Sequence, residues 1–352
     1  MNLGFSLYFS SGLEKNCELI KRFSEAGFTK AFTSLHIPEE SQTDYLHDIA
    51  VLFDYCTKYK IELMADIGPR TIEKLGYTSI DQLKDTPIRH LRMDYGFTFE
   101  AMVELSKDFN IILNASTITF QDIFTLKRLH ADLSKFSACH NFYPKPFSAI
   151  SIGRAQKMNR FLKDNGMSVQ MFVPGDKDKR GPIFAGLPTI ESHRNQEILL
   201  SALELKYYCD VDDIFVGDVD VSDQTLHQLS MLVNNTIELN AQLEDVYTYL
   251  YHQVHHDRPD SSDYVIRSQE SRMYATPGQI IEPQSTQSIH KGDILMSNKL
   301  FLRYSGELEI ARVDMPTNPK INVIGHIADE SIPYLPYIES GMGFILKENK
   351  ND

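Results

Sequence analysis

The stretch IELMADIGPRTIEKLGYTSIDQLKDTPIRHLRMDY, residues 61–95, shows the repeat that decides the fold. Short β-rich runs at 61–67 and 90–95 flank a longer segment of mixed polarity. A strand, a crossover segment and a second strand in this order are typical of parallel β-α units. The same alternation continues outward in both directions at a spacing of about 25 to 35 residues. The strand candidates that result are 3–10, 30–37, 61–67, 90–95, 111–116, 135–141, 168–173 and 213–218.

Amphipathic segments lie between these runs. In the first of them Leu13, Cys17, Ile20 and Phe23 recur every three or four residues, which is the spacing of one helix face. Eight alternating units favour a closed barrel over an open doubly wound sheet. The G-x-G-x-x-G fingerprint of a dinucleotide-binding sheet is absent from the sequence. We therefore predict an α/β fold, with a (β/α)8 barrel over residues 1–235.

The pattern changes from about Thr236 onward. Residues 236–243 alternate apolar and polar side chains at period two, and turn signals such as Ser305–Gly306 separate further short runs. These further strand candidates are 264–267, 293–296, 301–304, 307–313 and 343–346. The pattern predicts a small antiparallel β-barrel or sandwich over residues 236–352.

Composition limits the classes of partner and compartment. The chain has 352 residues and a net charge of -13, which argues against a nucleic-acid surface because phosphate binding needs a clustered basic face. No run approaches about 18 apolar residues, and the N-terminal segment lacks the basic and apolar regions of a signal peptide. We expect a cytoplasmic protein that does not bind membranes. The four cysteines show no C-x-x-C spacing, which disfavours a disulfide framework or a zinc site and predicts reduced core thiols; the sequence leaves the oligomeric state open.

The two faces of each barrel strand can be assigned from the alternation of side chains. If the apolar face meets the helices, the opposite face lines the barrel interior near the C-terminal strand ends. The residues on that face are Tyr8, His36, Asp66, Arg92, Asp94, Asn114, Ser116, His140 and Asp218. Barrel interiors are usually filled by branched apolar side chains, so a polar interior predicts an active site at this end.

Several carboxylates in one barrel suit general acid, general base or nucleophile roles. The alternative is that Arg92 and one of Asp66 or Asp94 form a buried ion pair that only stabilises the barrel. Magnesium binding by the same aspartates is open, but no ligand spacing singles it out. No lysine stands at a predicted interior strand end, which disfavours a Schiff-base mechanism.

The segment after the seventh strand, residues 174–192, is long for a loop between a strand and a helix, and such loops are often functional. In barrels the loops after strands seven and eight often hold phosphate, which here points to Arg180 and Arg194. The alternative is a charged loop in contact with solvent. In the second domain Arg258, Arg267 and Arg272 are candidates to face the barrel mouth and contact substrate, and metal binding by the adjacent His255 and His256 is the less favoured interpretation.

The chain as a whole resembles the MupG-type family of bacterial 6-phospho-N-acetylmuramidases. The segments that carry the resemblance are GFSLYFS at 4–10, MADIGP at 64–69, LRMDYGF at 91–97, NAST at 114–117, HNFYPKP at 140–146, RGPIFAGLPTIESHR at 180–194 and HHDRPDSSDYVIRSQESR at 255–272. The resemblance implies a TIM barrel followed by a cyclophilin-like β domain. It also implies a cofactor-independent cytoplasmic hydrolase of cell-wall recycling, which splits MurNAc-6-phosphate–GlcNAc into MurNAc-6-phosphate and GlcNAc.

Glycoside hydrolysis needs an acid near the leaving oxygen and a carboxylate or acetamido group on the other face of the sugar. We assign Asp66 and Asp94 as the catalytic carboxylates, hold Asp218 and Glu191 in reserve, and give Arg194 and Arg180 the phosphate. Substrate-assisted attack by the 2-acetamido group is equally open. The further predicted substrate contacts are Tyr8, His36, Arg92, Asn114, Ser116, His140, Asn141, Tyr143, His193, Arg258 and Arg267. Two rival functions are a non-catalytic sugar-phosphate sensor and a magnesium-dependent aldolase or isomerase of a phosphorylated sugar.

Overall fold

The structure is a computed structural model that describes residues 1–35, 45–93, 96–274, 278–285 and 287–349. Its contacts divide the chain into two compact units, Met1–Val233 and Asn234–Asp352. None of the helices within the described residues has the length and apolarity needed to cross a membrane.

Within the described residues, the first unit is a closed barrel of eight parallel strands in sequential order, with β1 hydrogen-bonded to β8. The strands are β1 Asn2–Leu7, β2 Lys30–Ser34, β3 Glu62–Ile67, β4 Ile88–Met93, β5 Asn110–Asn114, β6 Phe136–Cys139, β7 Ser168–Val173 and β8 Asp213–Val216. The helices that follow them are α1 Leu13–Glu25, α2 Tyr45–Lys58, α3 Thr71–Lys74, α4 Phe99–Leu105, α5 Phe120–Arg128, α6 Ile152–Asp164, α7 Ile198–Tyr207 and α8 Asp223–Val233. The predicted (β/α)8 barrel is confirmed.

The first β-α unit shows how the apolar pattern produces this packing. Helix α1 buries Leu19, Ile20 and Phe23, and the Phe23 ring stacks on Phe5 of β1 with centroids 4.6 Å apart. Gly27 follows the helix at φ 87°, a left-handed conformation that glycine adopts without a steric cost. The apolar face of β1 therefore meets its helix, as the strand alternation predicts.

The polarity of the barrel interior changes along the strand direction. The central layer is apolar and contains Phe32, Met64, Ile112, Cys139, Phe172 and Phe215. Nearer the N-terminal strand ends, Lys30 binds Asp213 at 2.7 Å. Nearer the C-terminal ends, Asp66 and Arg92 follow two positions after Met64 and His90 on the same faces. Polar side chains therefore lie near the C-terminal strand ends, where they were predicted, and also near the N-terminal ends, while close packing of apolar side chains fills the middle of the ring.

Several polar residues that the sequence places on strands lie just beyond them. Strand β1 ends at Leu7 before Tyr8, β5 ends at Asn114 before Ser116, and β8 ends at Val216 before Asp218. These side chains therefore belong to the loops at the C-terminal face, which is the face that carries active sites in (β/α)8 barrels.

The second unit is a seven-stranded mixed sheet in the described residues, in the order β10-β15-β9-β14-β12-β13-β11. Its strands are β9 Thr236–Leu243, β10 Val254–His256, β11 Val265–Arg267, β12 Asp293–Ser297, β13 Leu308–Ala311, β14 Ile321–Ile327 and β15 Gly343–Glu348, and the short helix α9 spans Ser271–Tyr274. A bridge between Asp257 and Ser268 joins the two edges and nearly closes the sheet into a barrel.

The small β-barrel domain is confirmed, with three differences in detail. Strands β9 and β15 pair in parallel, whereas the sequence predicts an antiparallel arrangement throughout. The predicted strand 301–304 is part of the helical turn Lys299–Tyr304. Strands β10 and β14 are absent from the prediction; β14 contains Asn322 and Gly325, which are depleted in strands.

Candidate active site

A cavity of about 230 Å³ lies at the C-terminal end of the barrel. Polar groups from the strand ends and aromatic side chains from the central layer share its wall. The lining residues are Phe32, Ser34, Asp66, Arg92, His140, Asn141, Phe142, Tyr143, Phe172 and Arg180. Predicted and unpredicted residues therefore meet in one cavity.

The polar part of the wall is built on a buried ion pair. Arg92 Nη1 donates to Asp66 Oδ2 at 3.1 Å, and each residue is 6% exposed. Arg92 Nη2 donates to Asn141 Oδ1 at 2.6 Å. Adjacent parallel strands place Asp66 opposite Arg92 in register, so the pair follows from β3–β4 pairing. Among the described residues that line the cavity, Asp66 is the only carboxylic acid. The guanidinium stabilises the charged form of this carboxylate and holds it against the cavity.

The apolar part of the wall is a cluster of phenylalanine rings. Phe142 packs edge-on against Phe172 with centroids 5.1 Å apart, and Phe32 packs against Phe172 at 5.5 Å. Such edge-to-face contacts stabilise ring pairs beyond the area they bury. The rings give the cavity a rigid apolar surface beside a charged group, which is the usual composition of a small-molecule site.

Arg180 lies at the edge of the cavity and covers Tyr8. Its guanidinium carbon is 4.1 Å from the centre of the Tyr8 ring, a cation–π contact. The Tyr8 hydroxyl donates to the carbonyl oxygen of Gly217 at 2.5 Å, and burial raises the pKa of Tyr8 to about 12. No ion pair joins Arg180 to a carboxylate of the described residues. Within the described ranges, Arg180 is thus a cation at the cavity edge without an ion-pair partner.

Asp218 organises the loop that carries Arg180. Its carboxylate accepts backbone N–H groups from Gly175 at 2.8 Å, Leu187 at 2.9 Å and Arg180 at 2.9 Å, and the residue is fully buried. Three amides from one loop therefore converge on a single side chain after β8. Asp218 holds the loop in place and is absent from the cavity lining; its reserve role as a catalytic acid stays a prediction.

Arg194 and Glu191 connect two loops in the same way. Arg194 donates to both carboxylate oxygens of Glu191, at 2.6 and 2.9 Å, and to the carbonyl oxygens of Tyr143 at 3.0 Å and Gly186 at 2.9 Å. Hydrogen bonds from Arg194 lower the pKa of Glu191 to about 2, against the opposing effect of burial. The Arg194 donors therefore have partners within the protein, and its assignment to phosphate stays a prediction.

Other predicted contact residues line the cavity or lie next to residues that line it. Asn141 and Tyr143 line it, and the Tyr143 hydroxyl is 3.4 Å from Ser116 Oγ. The Asn114 side chain accepts the Ser116 backbone N–H at 2.9 Å, which shapes the turn after β5.

Two of the three predicted histidines of the first unit, His140 and His193, contact helices. His140 borders the cavity, and its Nε2 lies 2.7 Å from Asn159 Oδ1 on α6. His193 is fully buried, lies 2.9 Å from Glu204 of α7, and is absent from the cavity lining. Burial lowers the pKa of both imidazoles, which favours their neutral forms.

Four predicted site residues remain. His36 and Asp94 fall outside the described residues. Arg258 and Arg267 line a separate cavity in the second unit. Their expected contact with substrate at the barrel mouth stays a prediction. In the described part of the chain, no group of three or more His, Cys, Asp or Glu side chains is arranged to hold a metal ion.

Sequence reasoning misses the aromatic wall. Phe32 and Phe172 lie inside strands and read as ordinary core residues, and Phe142 lies within the HNFYPKP segment that the resemblance singles out for its polar members. Ser34 sits on the interior face of β2 beside the expected site. A signal was available for two of them: Phe32 and Phe172 lie on the interior face of β2 and β7, and larger barrels can enclose a ligand cavity between such interior side chains.

Comparison with family models and solved structures is consistent along the whole chain. Residues 3–231 match the model described as 6-phospho-N-acetylmuramidase, N-terminal, and residues 234–347 match the C-terminal model of the same description. A conserved Enterococcus faecalis protein of unknown function is 32% identical, with a TM-score of 0.78 over 99% of this chain and 97% of that one. An uncharacterised B. cereus protein has the same fold at 24% identity, with a TM-score of 0.75 and 99% of each chain covered. A search of functionally curated proteins found no match.

Proposed function

This chain belongs to the MupG-type family of 6-phospho-N-acetylmuramidases, and we propose that it hydrolyses the glycosidic bond of MurNAc-6-phosphate–GlcNAc, releasing MurNAc-6-phosphate and GlcNAc. The observation that carries the proposal is the buried Asp66–Arg92 pair beside an aromatic wall, with Arg180 at the edge of the same cavity. A sugar ring binds through an apolar face and a hydroxyl-bearing edge, and this cavity offers a surface for each.

Asp66 is the carboxylate that we assign to the chemistry at the anomeric carbon. An oxocarbenium-like transition state gains positive charge, and a carboxylate kept ionised by Arg92 stabilises that charge in a partly desolvated cavity. The Asp66 carboxylate can also orient the 2-acetamido group of the substrate. The acetamido oxygen then attacks the anomeric carbon. The proton for the leaving oxygen then comes from a second acid, and Asp94, two positions after Arg92 in the chain, keeps the role predicted for it.

Arg180 is the residue that we assign to the 6-phosphate. A guanidinium binds phosphate with two parallel hydrogen bonds, and the charge on Arg180 is not compensated by a described carboxylate. Arg194 is excluded from this role in our proposal because its donors are engaged by Glu191 and by backbone carbonyl oxygens. Of the two arginines, only Arg180 would then determine selectivity for the phosphorylated disaccharide.

The test is hydrolysis of MurNAc-6-phosphate–GlcNAc and of the same disaccharide without phosphate, with products identified by mass spectrometry. Wild-type protein should release GlcNAc from the phosphorylated disaccharide. Asp66→Asn, which keeps the side-chain shape and removes the charge, should lower turnover by about 10²–10⁴-fold. Asp81→Asn is the matched control, because Asp81 is an exposed carboxylate that pairs with Lys84 and does not line the cavity.

Two results would overturn the proposal. Wild-type turnover by Asp66→Asn would remove this residue from the mechanism. Binding of the phosphorylated disaccharide by the wild-type protein without release of GlcNAc would support a sensor instead of an enzyme.

A further inference from the structure

The second unit contains a cavity of its own. It has a volume of about 540 Å³ and is lined on one side by Arg258, Arg267 and Arg272. Glu309 and the ring of Tyr304 contribute to the rest of its wall. The proposed hydrolysis does not require this cavity, because the barrel contains a separate cavity for it.

Two polar side chains in the cavity wall have unused hydrogen-bonding capacity among the described residues. Arg267 of β11 and Glu309 of β13 stand directly opposite each other in the antiparallel pair. Arg267 Nε is buried and has no hydrogen-bond partner among the described residues, and the partly buried Glu309 side chain makes neither a hydrogen bond nor a close ion pair with them. Burial, together with repulsion from Glu307, raises the pKa of Glu309 in spite of Arg267. A buried donor without a partner is unfavourable, so an unused donor beside an unused carboxyl indicates room for a ligand.

The Asp260 carboxylate is an anionic group that contacts two arginines of the same cavity. Its carboxylate receives Arg258 Nε at 3.0 Å and lies 3.3 Å from Arg267 Nη2. The Asp260 side chain is 65% exposed, and exposed ion pairs of this kind contribute little to stability. A phosphate dianion, with more charge and three acceptor oxygens, competes well with such a carboxylate for two guanidinium groups.

We propose that this cavity binds a phosphorylated sugar, with the phosphate in the position of Asp260 between Arg258 and Arg267 and with sugar hydroxyls at Arg267 Nε and Glu309. A hydroxyl both donates and accepts, so it satisfies the carboxyl and the guanidinium together. The cavity volume exceeds what phosphate alone requires, and the Tyr304 ring offers a face for the sugar. The choice of a sugar phosphate rests on the proposed function, whose substrate belongs to that class.

The experiment uses the full chain and N-acetylglucosamine 6-phosphate as the probe. Hydrogen–deuterium exchange with mass spectrometry should show protection of segments 256–272 and 304–311 when the probe is added. N-acetylglucosamine and inorganic phosphate, each at the same concentration, should protect these segments at least tenfold less efficiently, as judged by the concentration for half-maximal protection.

Variants assign the effect to the cavity. Arg267→Met should raise that concentration at least tenfold, and Arg258→Met, which changes an exposed side chain, should act in the same direction. Glu309→Leu should weaken binding more than Glu309→Gln, which keeps hydrogen-bonding capacity. Lys320→Met is the matched control, since it removes a positive charge from the same unit outside the cavity.

Three results would overturn the proposal: no protection of these segments by the sugar phosphate, equal protection by inorganic phosphate, or unchanged binding by both arginine variants. Asp66→Asn should leave this protection intact. Loss of hydrolysis in the barrel and loss of binding in the second unit are therefore separate outcomes, and either proposal can fail without the other.

Discussion

Replacement of Arg194 by methionine tests whether this arginine holds two loops together or binds phosphate. The substitution removes all of its hydrogen bonds and leaves the Glu191 carboxylate and the carbonyl oxygens of Tyr143 and Gly186 without them. Arg194 is 7% exposed, and removal of one partner of a buried ion pair costs about 3–5 kcal/mol. Since the Glu191 side chain is 26% exposed, we expect the lower end of this range, about 3 kcal/mol, in the free energy of unfolding at pH 7.

The pH dependence of stability gives a second, signed measure of the same interaction. The folded protein holds the pKa of Glu191 at about 2, below its ordinary value of 4.5. The ion pair therefore stabilises the fold fully above pH 4.5, and this contribution is lost as the pH falls from 4.5 towards 2. At about 1.4 kcal/mol per pKa unit the upper bound is about 3.4 kcal/mol, and screening by solvent reduces it to about 1–2 kcal/mol. Because roughly three fifths of this contribution is lost by pH 3, wild type should lose about 0.6–1.2 kcal/mol more stability between pH 6 and pH 3 than Arg194→Met does.

Urea denaturation followed by far-ultraviolet circular dichroism at both pH values is the assay. Arg180→Met is the matched control on the same loop: it should leave the unfolding free energy within about 0.5 kcal/mol of wild type and raise KM for the phosphorylated disaccharide at least tenfold, because it removes a charge-assisted hydrogen bond to phosphate. The reasoning would be refuted if Arg194→Met changed stability by less than about 1 kcal/mol, or if it lost affinity for phosphate while keeping the wild-type pH dependence.

Three further predictions concern the same end of the barrel and the thiols. Gly217→Ala should destabilise the protein by about 1–3 kcal/mol in denaturation experiments and lower kcat, since an added Cβ would lie 2.4 Å from the carbonyl oxygen of Leu187 and displace the loop; wild-type stability and kcat would contradict the packing described. Tyr8→Phe should cost about 1 kcal/mol of stability through the lost hydrogen bond and leave KM within twofold. Tyr8→Leu, which also removes the ring beneath Arg180, should raise KM several-fold. Equal KM values for the two variants would show that the cation–π contact does not position Arg180. Ellman's reagent at pH 8 should modify at most one thiol of the folded chain, the partly exposed Cys17, and all four thiols in urea. The reason is that burial raises the pKa values of Cys56, Cys139 and Cys209 to about 12. Rapid modification of more than one thiol in the folded chain would contradict this assignment.

Much of the candidate site could be predicted by strand alternation. Asp66 and Arg92 lie on the interior face because residues two apart on a strand share a face, and the register of β3 and β4 then brings them together. Asn141 and Tyr143, named from a resembling segment, also line the cavity. Strand alternation assigns each residue to a face of the sheet but not to a level along the barrel axis. It therefore could not show that the Asp66–Arg92 pair lies next to an apolar central layer.

The sequence by itself determined the two-part architecture, the order of the eight β-α units and the strand faces from which the cavity is built, because hydrophobic periodicity is a local property of the chain. Tertiary structure alone decided which charged side chains reach the cavity. Arg180, Arg194 and Asp218 look alike as charged residues near the barrel mouth in sequence, yet Arg194 and Asp218 turn inward to satisfy loop carbonyl and amide groups while Arg180 lies at the cavity edge. The reason is physical: a buried charge takes whichever partners the folded loops bring within hydrogen-bonding distance, and residues far apart along the chain supply those partners.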